Sequence, residues 1–363
     1  MAVNGFRVVD ADGHGGEYRH WPSKLPERFA AKFEAWRERC KQHYGRLGIP
    51  GGGLARPGDR FGGTSAVSQA AVREGMHDPV ERLKDMDLEG IDVTVNYSGG
   101  PGEEWALLDP DFAEALCRTI NDAKAEFNRH APDRLKAVAI LPMIDPARAA
   151  AELRRAVTEL GLVGMVTRQH VREKNLDHPS LDVVWAEAER LGVPVCVHGG
   201  GQAPDQVPIA VDRYGTRLEV HALTHPLGGM LAVMNFTVGG VLRRFPKLRF
   251  GVMEANCWWL PGWLERLDDH WRRMPEQAPQ IDRKPSEYFL DGRCFIGCDP
   301  GEAAVGAVAK ELGAERIVYA SDYYHWDCGF PETARTVANR GDLDDRAKRL
   351  ILAENARRLY GLA

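Results

Sequence analysis

Eight short apolar runs along the chain constrain its fold more than any other feature. Each run is rich in β-branched residues, ends in a polar or glycine-containing turn, and is followed by a helix-like stretch. The runs occupy residues 6–11, 92–97, 135–141, 163–168, 193–197, 248–253, 294–297 and 316–320. Apolar strands that alternate with helices indicate a parallel sheet covered on both faces. Because no GxGxxG fingerprint follows any run, the sequence predicts an α/β protein with a closed (β/α)8 TIM barrel rather than an open nucleotide-binding sheet.

Three long stretches interrupt this alternation. They are residues 15–75 after the first predicted strand, 199–215 after the fifth and 272–288 after the sixth, all rich in Gly, Pro and polar residues. The loops that follow the strands of a barrel build its substrate site. We therefore expect one barrel domain over residues 1–363, in which the insertion at 15–75 covers the mouth.

Charge and hydropathy exclude two classes of partner. The formal net charge is −5, and Lys and Arg are interspersed with Asp and Glu rather than clustered, so nucleic acid is not an expected partner. No run approaches the roughly 18 apolar residues of a membrane span, and the first residues lack the basic and apolar regions of a signal peptide. A cytoplasmic location is expected.

The cysteines are odd in number and scattered, so we interpret Cys294 and Cys298 as buried thiols rather than zinc ligands.

Metal-binding side chains recur where the predicted strands end. The first strand leads into Asp12 and His14, the fifth into His198, the sixth into Glu254 and the eighth into Asp322. Residues two apart share one face of a strand, so Asp12 and His14 can both face the same ion. Because the carboxyl ends of barrel strands meet at one mouth, the sequence predicts a metal centre there.

A series of motifs in order resembles one known family. The motifs include VVDADGH, ERLKDMDLEGIDV, APDRLKAVAILPMIDPARAAAELRRAV, ERIVYASDYYHWD and ENARRLYGL. The chain resembles the amidohydrolase-related proteins of the aminocarboxymuconate semialdehyde decarboxylase-like branch. The resemblance implies a metal-dependent TIM barrel in which Asp12, His14, His198 and Asp322 are metal ligands. The sequence departs from the decarboxylases at Asp12, where a histidine or glutamate is common, and at Glu254, where they carry a catalytic histidine.

Glu254, His225 and Asp322 are the candidate catalytic residues. Glu254 can ligate the metal, act as general base or hold another ligand, and its alternative role is a buried structural salt bridge. His225, in HALTHPLGG, matches a histidine common in the resembled branch; it is a proton shuttle, a further ligand or a core histidine. Asp322 or Glu254 would take the proton of a bound water.

Four further residues are candidates for substrate contact. Arg168 ends the fourth predicted strand, where its guanidinium can bind a carboxylate through two hydrogen bonds. Trp258, Tyr323 and His325 follow the sixth and eighth predicted strands and can wall the pocket, although core packing explains Trp258 equally well.

Several reactions remain open. One divalent zinc, manganese or iron ion suits hydrolysis of an amide, ester or lactone, or decarboxylation of an aromatic acid. An oxygen-rich ligand set also suits iron, and two irons would serve an oxygenase acting on a hydrophobic small molecule. A non-catalytic binding barrel is the third alternative. In each case the expected partner is a small molecule, and a homodimer is the common state of similar proteins.

Overall fold

All eight predicted strands are present in the computed structural model, which describes residues 3–46, 73–98, 108–200, 213–214, 216–325 and 327–363. In chain order they are β1 Val9–His14, β2 Val93–Tyr97, β3 Leu135–Ala137, β4 Met165–Thr167, β7 Val195–His198, β8 Phe250–Met253, β9 Cys294–Cys298 and β10 Ile317–Tyr319. A small antiparallel hairpin, β5 His170–Val171 and β6 Lys174–Asn175, follows β4.

The eight strands are parallel and follow one another around a ring. Ladders join β1-β2-β3 and β4-β7-β8-β9-β10. A bridge between Ala139 and Met165 connects the two sheets on one side. On the other side the Asp322 amide donates to the Asp12 carbonyl at 2.9 Å, and the His14 amide donates to the Tyr323 carbonyl. These bonds close the ring, so the predicted barrel is confirmed.

Helices surround the strands and begin where the sequence provides caps. The longer ones are α1 Ala30–Arg46, α2 Pro79–Glu89, α3 Pro110–Asn128, α4 Pro146–Thr158, α5 Asp182–Leu191, α6 Arg217–Thr237, α8 Leu260–Arg273 and α10 Val305–Leu312. The shorter ones are α7 Val241–Arg244, α9 Pro285–Leu290, α11 Thr333–Ala338, α12 Asp345–Arg349 and α13 Asn355–Tyr360. Asp78, Asp109 and Asp145 each accept two backbone N–H groups ahead of a proline, which fixes the start of α2, α3 and α4.

The described part of the first insertion is folded rather than open. It contains α1, and Phe29, Phe33 and Trp36 pack with Phe112 and other apolar residues of α3. Residues 47–72 of this insertion and residues 201–212 of the second lie outside the described residues. The third, 272–288, holds the end of α8 and the beginning of α9. Residues 274–284 between the two helices, which include the 3-10 turn Pro275–Gln277, form the expected loop.

The barrel interior beneath the mouth is apolar. Val9, Ala11, Val95, Met253 and other buried residues of the strands form one cluster that the C-terminal helix α13 closes from below. This packing puts the strand ends over a floor of low polarity, where charges are poorly solvated. Among the described residues, no helix has the length and apolar content to cross a membrane.

Candidate metal centre

The five predicted ligands meet at the carboxyl ends of the strands. Asp12 and His14 lie in β1, His198 ends β7, Glu254 follows β8, and Asp322 follows β10. His14 Nε2 lies 3.1 Å from Asp322 Oδ1 and 3.3 Å from His198 Nε2. His198 Nε2 lies 3.1 Å from Glu254 Oε2. Imidazole nitrogens and carboxylate oxygens from four strand ends thus surround one point.

Asp12 supplies the observation that fits a cation. Its side chain is fully buried, and within the described part of the chain neither carboxylate oxygen has a hydrogen-bond donor. Burial raises the pKa of this carboxyl well above its ordinary value; Asp322 and Glu254 add to the effect, and His14 opposes it. A buried acceptor without a donor is costly, and a divalent ion would satisfy it. The donor set therefore fits a metal ion of the class that the resemblance implies.

The backs of both histidine rings are held by fixed partners. His14 Nδ1 lies 3.3 Å from the Ser98 carbonyl oxygen, which only accepts, so Nδ1 carries the hydrogen and the Nε2 lone pair faces the cluster. His198 Nδ1 lies 2.9 Å from the Gly199 carbonyl oxygen. Burial lowers the pKa of His198 to about 4, because Glu254 offsets the desolvation only in part. The low pKa keeps the His198 ring neutral, which is the form of imidazole that binds a metal ion.

Glu254 and Asp322 occupy unusual backbone positions. Their φ angles are 46° and 52°, a left-handed region that non-glycine residues rarely adopt. The turn at Asp322 is fixed by Ser321, whose amide and hydroxyl donate to the Asp10 carboxylate at 2.9 and 2.7 Å. Arg82, fully buried, lies 4.0 Å from the same carboxylate. This support was not predicted from the sequence, although Asp10 stands two residues before Asp12 in VVDADGH.

His225 and His325 approach the carboxylates from the outer side. His225 Nε2 lies 3.1 Å from Glu254 Oε1, and His325 Nδ1 lies 2.6 Å from Asp322 Oδ1. Burial alone would lower the pKa of His325, but the carboxylates of Asp322 and Glu254 raise it to about 10. Burial likewise opposes charge on Glu254, yet His198 and His225 hold its pKa well below the ordinary range. His225, predicted as a catalytic residue, and His325, predicted as a substrate contact, therefore both lie at the centre.

The predicted substrate residues lie at different depths. Arg168 lies behind His198, where its Nη1 is 2.9 Å from Nδ1 of that ring and donates to the Gly199 carbonyl. Tyr323 is buried, and its hydroxyl donates to Asp85. Trp258 is 53% exposed, and the His325 side chain is 31% exposed. The roles of Arg168, Trp258, Tyr323 and His325 in substrate binding stay predictions.

The fold and this cluster define a metal-dependent barrel enzyme. A family model described as amidohydrolase matches residues 70–362, so the chain belongs to the amidohydrolase family. It is 32% identical to decarboxylase orsB of Emericella nidulans over 271 residues, which cover 69% of this chain and 76% of that protein. It is 27% identical to gamma-resorcylate decarboxylase of Rhizobium radiobacter over 304 residues, 77% of this chain and 86% of that protein.

Solved structures share the fold over nearly the whole chain. The 5-carboxyvanillate decarboxylase LigW of Sphingomonas paucimobilis superposes with a TM-score of 0.75 at 21% identity, covering 99% of this chain and 100% of that one. A dihydroxybenzoic acid decarboxylase of Polaromonas, solved with manganese and 2-nitroresorcinol, gives a TM-score of 0.67 at 20% identity and covers 98% of this chain and 97% of that one.

These likenesses decide the broad expectations. The TIM barrel, the divalent metal and a metal-dependent enzyme of the hydrolase or carboxy-lyase kind are confirmed. Zinc, iron and the homodimer are not confirmed, and the relatives reported above give no support to the oxygenase or to a non-catalytic barrel.

Proposed function

We propose that this enzyme is a metal-dependent carboxy-lyase that releases CO2 from a small hydroxylated aromatic acid without an oxidant. The observation that carries the proposal is the buried, donor-free carboxylate of Asp12 among His14, His198 and Asp322. The chain's likeness to gamma-resorcylate decarboxylases supports an aromatic acid as the substrate class.

Asp12, His14, His198 and Asp322 would hold the ion. When bound, a divalent ion supplies a Lewis acid that polarises oxygen atoms of the substrate. The chain's part is to fix the ligands and exclude water. The Ser98 carbonyl orients His14, and Arg168 and the Gly199 carbonyl both contact Nδ1 of His198. The apolar interior beneath the site keeps the charges poorly solvated.

His325 is the proton donor in this proposal. Its side chain is 31% exposed at the mouth, and its Nδ1 is held by Asp322 at 2.6 Å, which leaves Nε2 to meet the substrate. The proton of Nε2 goes to the ring carbon that bears the carboxylate. The electron pair of the C–C bond then restores the aromatic ring as CO2 leaves, and a solvent proton restores His325.

Hydrolysis is the second candidate because Glu254 replaces the histidine of the resembled decarboxylases. Its carboxylate would act as general base toward water. Glu254 Oε2 lies 3.1 Å from His198 Nε2, and Glu254 Oε1 lies 3.1 Å from His225 Nε2. Because both oxygens already contact histidines, this arrangement favours a Glu254 that holds these rings over a Glu254 that acts as general base toward water.

Product analysis in D2O tests the proposal. Manganese-loaded protein is incubated with 2,6-dihydroxybenzoate, 5-carboxyvanillate and related acids, and CO2 and ring deuterium are measured. We expect CO2 release with one deuterium at the vacated carbon, abolished in His325→Gln and retained in the matched control His270→Gln on the exposed face of α8. Turnover of esters or amides without CO2 from any acid would replace the proposal by hydrolysis.

The remaining expectations concern assembly and location. A single domain over residues 1–363, a homodimer and a cytoplasmic location remain predictions. Light scattering tests the dimer, for which the mass should be twice the chain mass of 40.3 kDa.

A further inference from the structure

A second pair of histidines lies beside the centre on α6. His221 and His225 are four residues apart, so they share one face of the helix, and their ring centroids are 4.0 Å apart. An HxxxH pair on a helix is a common way to present two imidazoles to one metal ion. The sequence analysis named His225 but not His221.

His225 lies in direct contact with Glu254. Its Nδ1 lies 2.8 Å from the His221 carbonyl oxygen, which accepts, so Nδ1 carries a hydrogen. Its Nε2 faces Glu254 Oε1 at 3.1 Å, where either a proton on Nε2 or a cation can join the nitrogen to the oxygen. A proton gives an ordinary salt bridge, and a cation gives a metal site.

The position of His221 favours the cation. One ligand atom each from His221, His225 and Glu254 lies within 4.8 Å of the others. A salt bridge between His225 and Glu254 needs no third group, whereas a metal ion needs several ligands around one point. Asp327 Oδ2, 3.7 Å from His221 Nε2, adds negative charge at the outer edge.

Glu254 connects this second set with the first. Its Oε2 faces His198 and its Oε1 faces His225, each at 3.1 Å. Two-metal sites hold their ions about 3.5–4 Å apart, a spacing that one carboxylate can bridge with one oxygen on each ion. The left-handed φ of 46° at Glu254 places the carboxylate between the two histidine sets.

The glycines after His198 make room for this arrangement. A Cβ at Gly199 would lie 2.9 Å from His225 Cδ2, and a Cβ at Gly200 would overlap His225 Nε2. Gly200 also has a φ of +64°. His225 can therefore reach Glu254 because two consecutive residues of this loop have no side chain.

We propose that His221, His225 and Glu254 form a second transition-metal site, which Glu254 joins to the first. Two imidazoles and one carboxylate suit manganese, iron or zinc. The inference goes beyond the proposed decarboxylation, because the first site alone would serve that reaction. It rests on ligand geometry and holds whichever reaction the enzyme catalyses.

Metal counting tests this site without an activity assay. Untagged protein is saturated with Mn2+, desalted and analysed by mass spectrometry, and its electron paramagnetic resonance spectrum is recorded. We expect about two ions per chain with the spectrum of a magnetically coupled pair. His225→Gln and His221→Gln should each retain about one ion with the spectrum of an isolated one, and the control His270→Gln should retain both.

Two results would overturn the second site. One is a wild-type protein that binds at most one ion per chain at saturating Mn2+. The other is a folded His221→Gln or His225→Gln variant that keeps both ions and the coupled spectrum. Because the His221 side chain is 30% exposed, its variant decides the question if His225→Gln does not fold. Two bound ions without CO2 release would support the second site and refute the proposed reaction. One bound ion with CO2 release would refute the second site and support the proposed reaction.

Discussion

Replacing Asp12 with asparagine should change stability in opposite directions with and without metal. Asp12 is fully buried, and no donor among the residues that the structure describes reaches either of its oxygens. In chelated protein this carboxylate is an uncompensated charge, and Asp12→Asn removes that charge at almost constant shape. With metal bound, the same substitution removes a ligand. The chelated variant should therefore be more stable than the chelated wild type, and the order should invert with Mn2+.

The size of the effect follows from the burial. An unsatisfied buried polar group costs about 1–3 kcal/mol, and a charged group costs more. The buried asparagine amide still carries the desolvation cost of a neutral polar group, and only the extra cost of the charge is removed. We therefore expect the free energy of unfolding of the chelated protein to rise by roughly 1–3 kcal/mol. An unfolding entropy of about 2.1 cal/mol/K per residue over 363 residues gives about 0.8 kcal/mol/K. The Tm of the chelated variant should rise by about 1–4 °C.

The stability advantage of chelated Asp12→Asn over chelated wild type should also depend on pH. Burial raises the pKa of Asp12 above its ordinary 3.8, so the folded state binds more protons than the unfolded state. The stability of chelated wild type should fall as pH rises through 3.8 and level off above the raised pKa. Asparagine does not titrate, so the advantage of the variant should grow from acid toward neutral pH.

Calorimetric melts with EDTA and with excess Mn2+, at acid and neutral pH, check this reasoning. The exposed carboxylate Asp133 provides a control, since Asp133→Asn should change neither melt by more than about 0.5 kcal/mol. A chelated Asp12→Asn that melts below chelated wild type at neutral pH would refute the account of Asp12 as an uncompensated charge. A variant that is stabilised by Mn2+ as strongly as wild type would refute its role as ligand.

Three other changes test the surroundings of the site. Asp10→Asn removes the charge that holds the Ser321 turn, and chelator competition should show about 10–100-fold weaker metal affinity; unchanged affinity would mean that this turn is rigid without it. Gly200→Ala places a Cβ on His225 at a left-handed φ, so it should cost more than about 1 kcal/mol in chemical denaturation, and a neutral result would refute the close packing. Tyr360→Phe removes hydroxyl contacts of 2.7 Å to a β1 carbonyl and a β2 tyrosine, with an expected loss of about 1–3 kcal/mol in the same assay; no loss would show that the carbonyl finds another donor.

The strands and the convergence of the first candidate ligands were predictable because both depend on local periodicity. Buried parallel strands are apolar on both faces, so each of the eight runs is visible without knowledge of its neighbours. Their order around a barrel then puts every carboxyl end at one mouth. Asp12, His14 and His198 needed only the position of the strand end and the two-residue alternation of side chains. The interpretation of 15–75 as a cover of the mouth stays a prediction, and the described part of that segment contains the packed helix α1.

The supporting contacts were decided by the tertiary structure. Ser321 meets Asp10 across 311 positions of sequence, and no local pattern encodes which side chain arrives opposite another after the ring closes. The same holds for Glu254, whose two oxygens are divided between His198 and His225 only once β8, β7 and α6 are packed together. The sequence by itself determined a barrel with metal-binding strand ends. Only the packing of distant elements decided that Asp12 is left without a donor among the described residues and that a second histidine pair lies within reach of Glu254, since such distances depend on the closed fold.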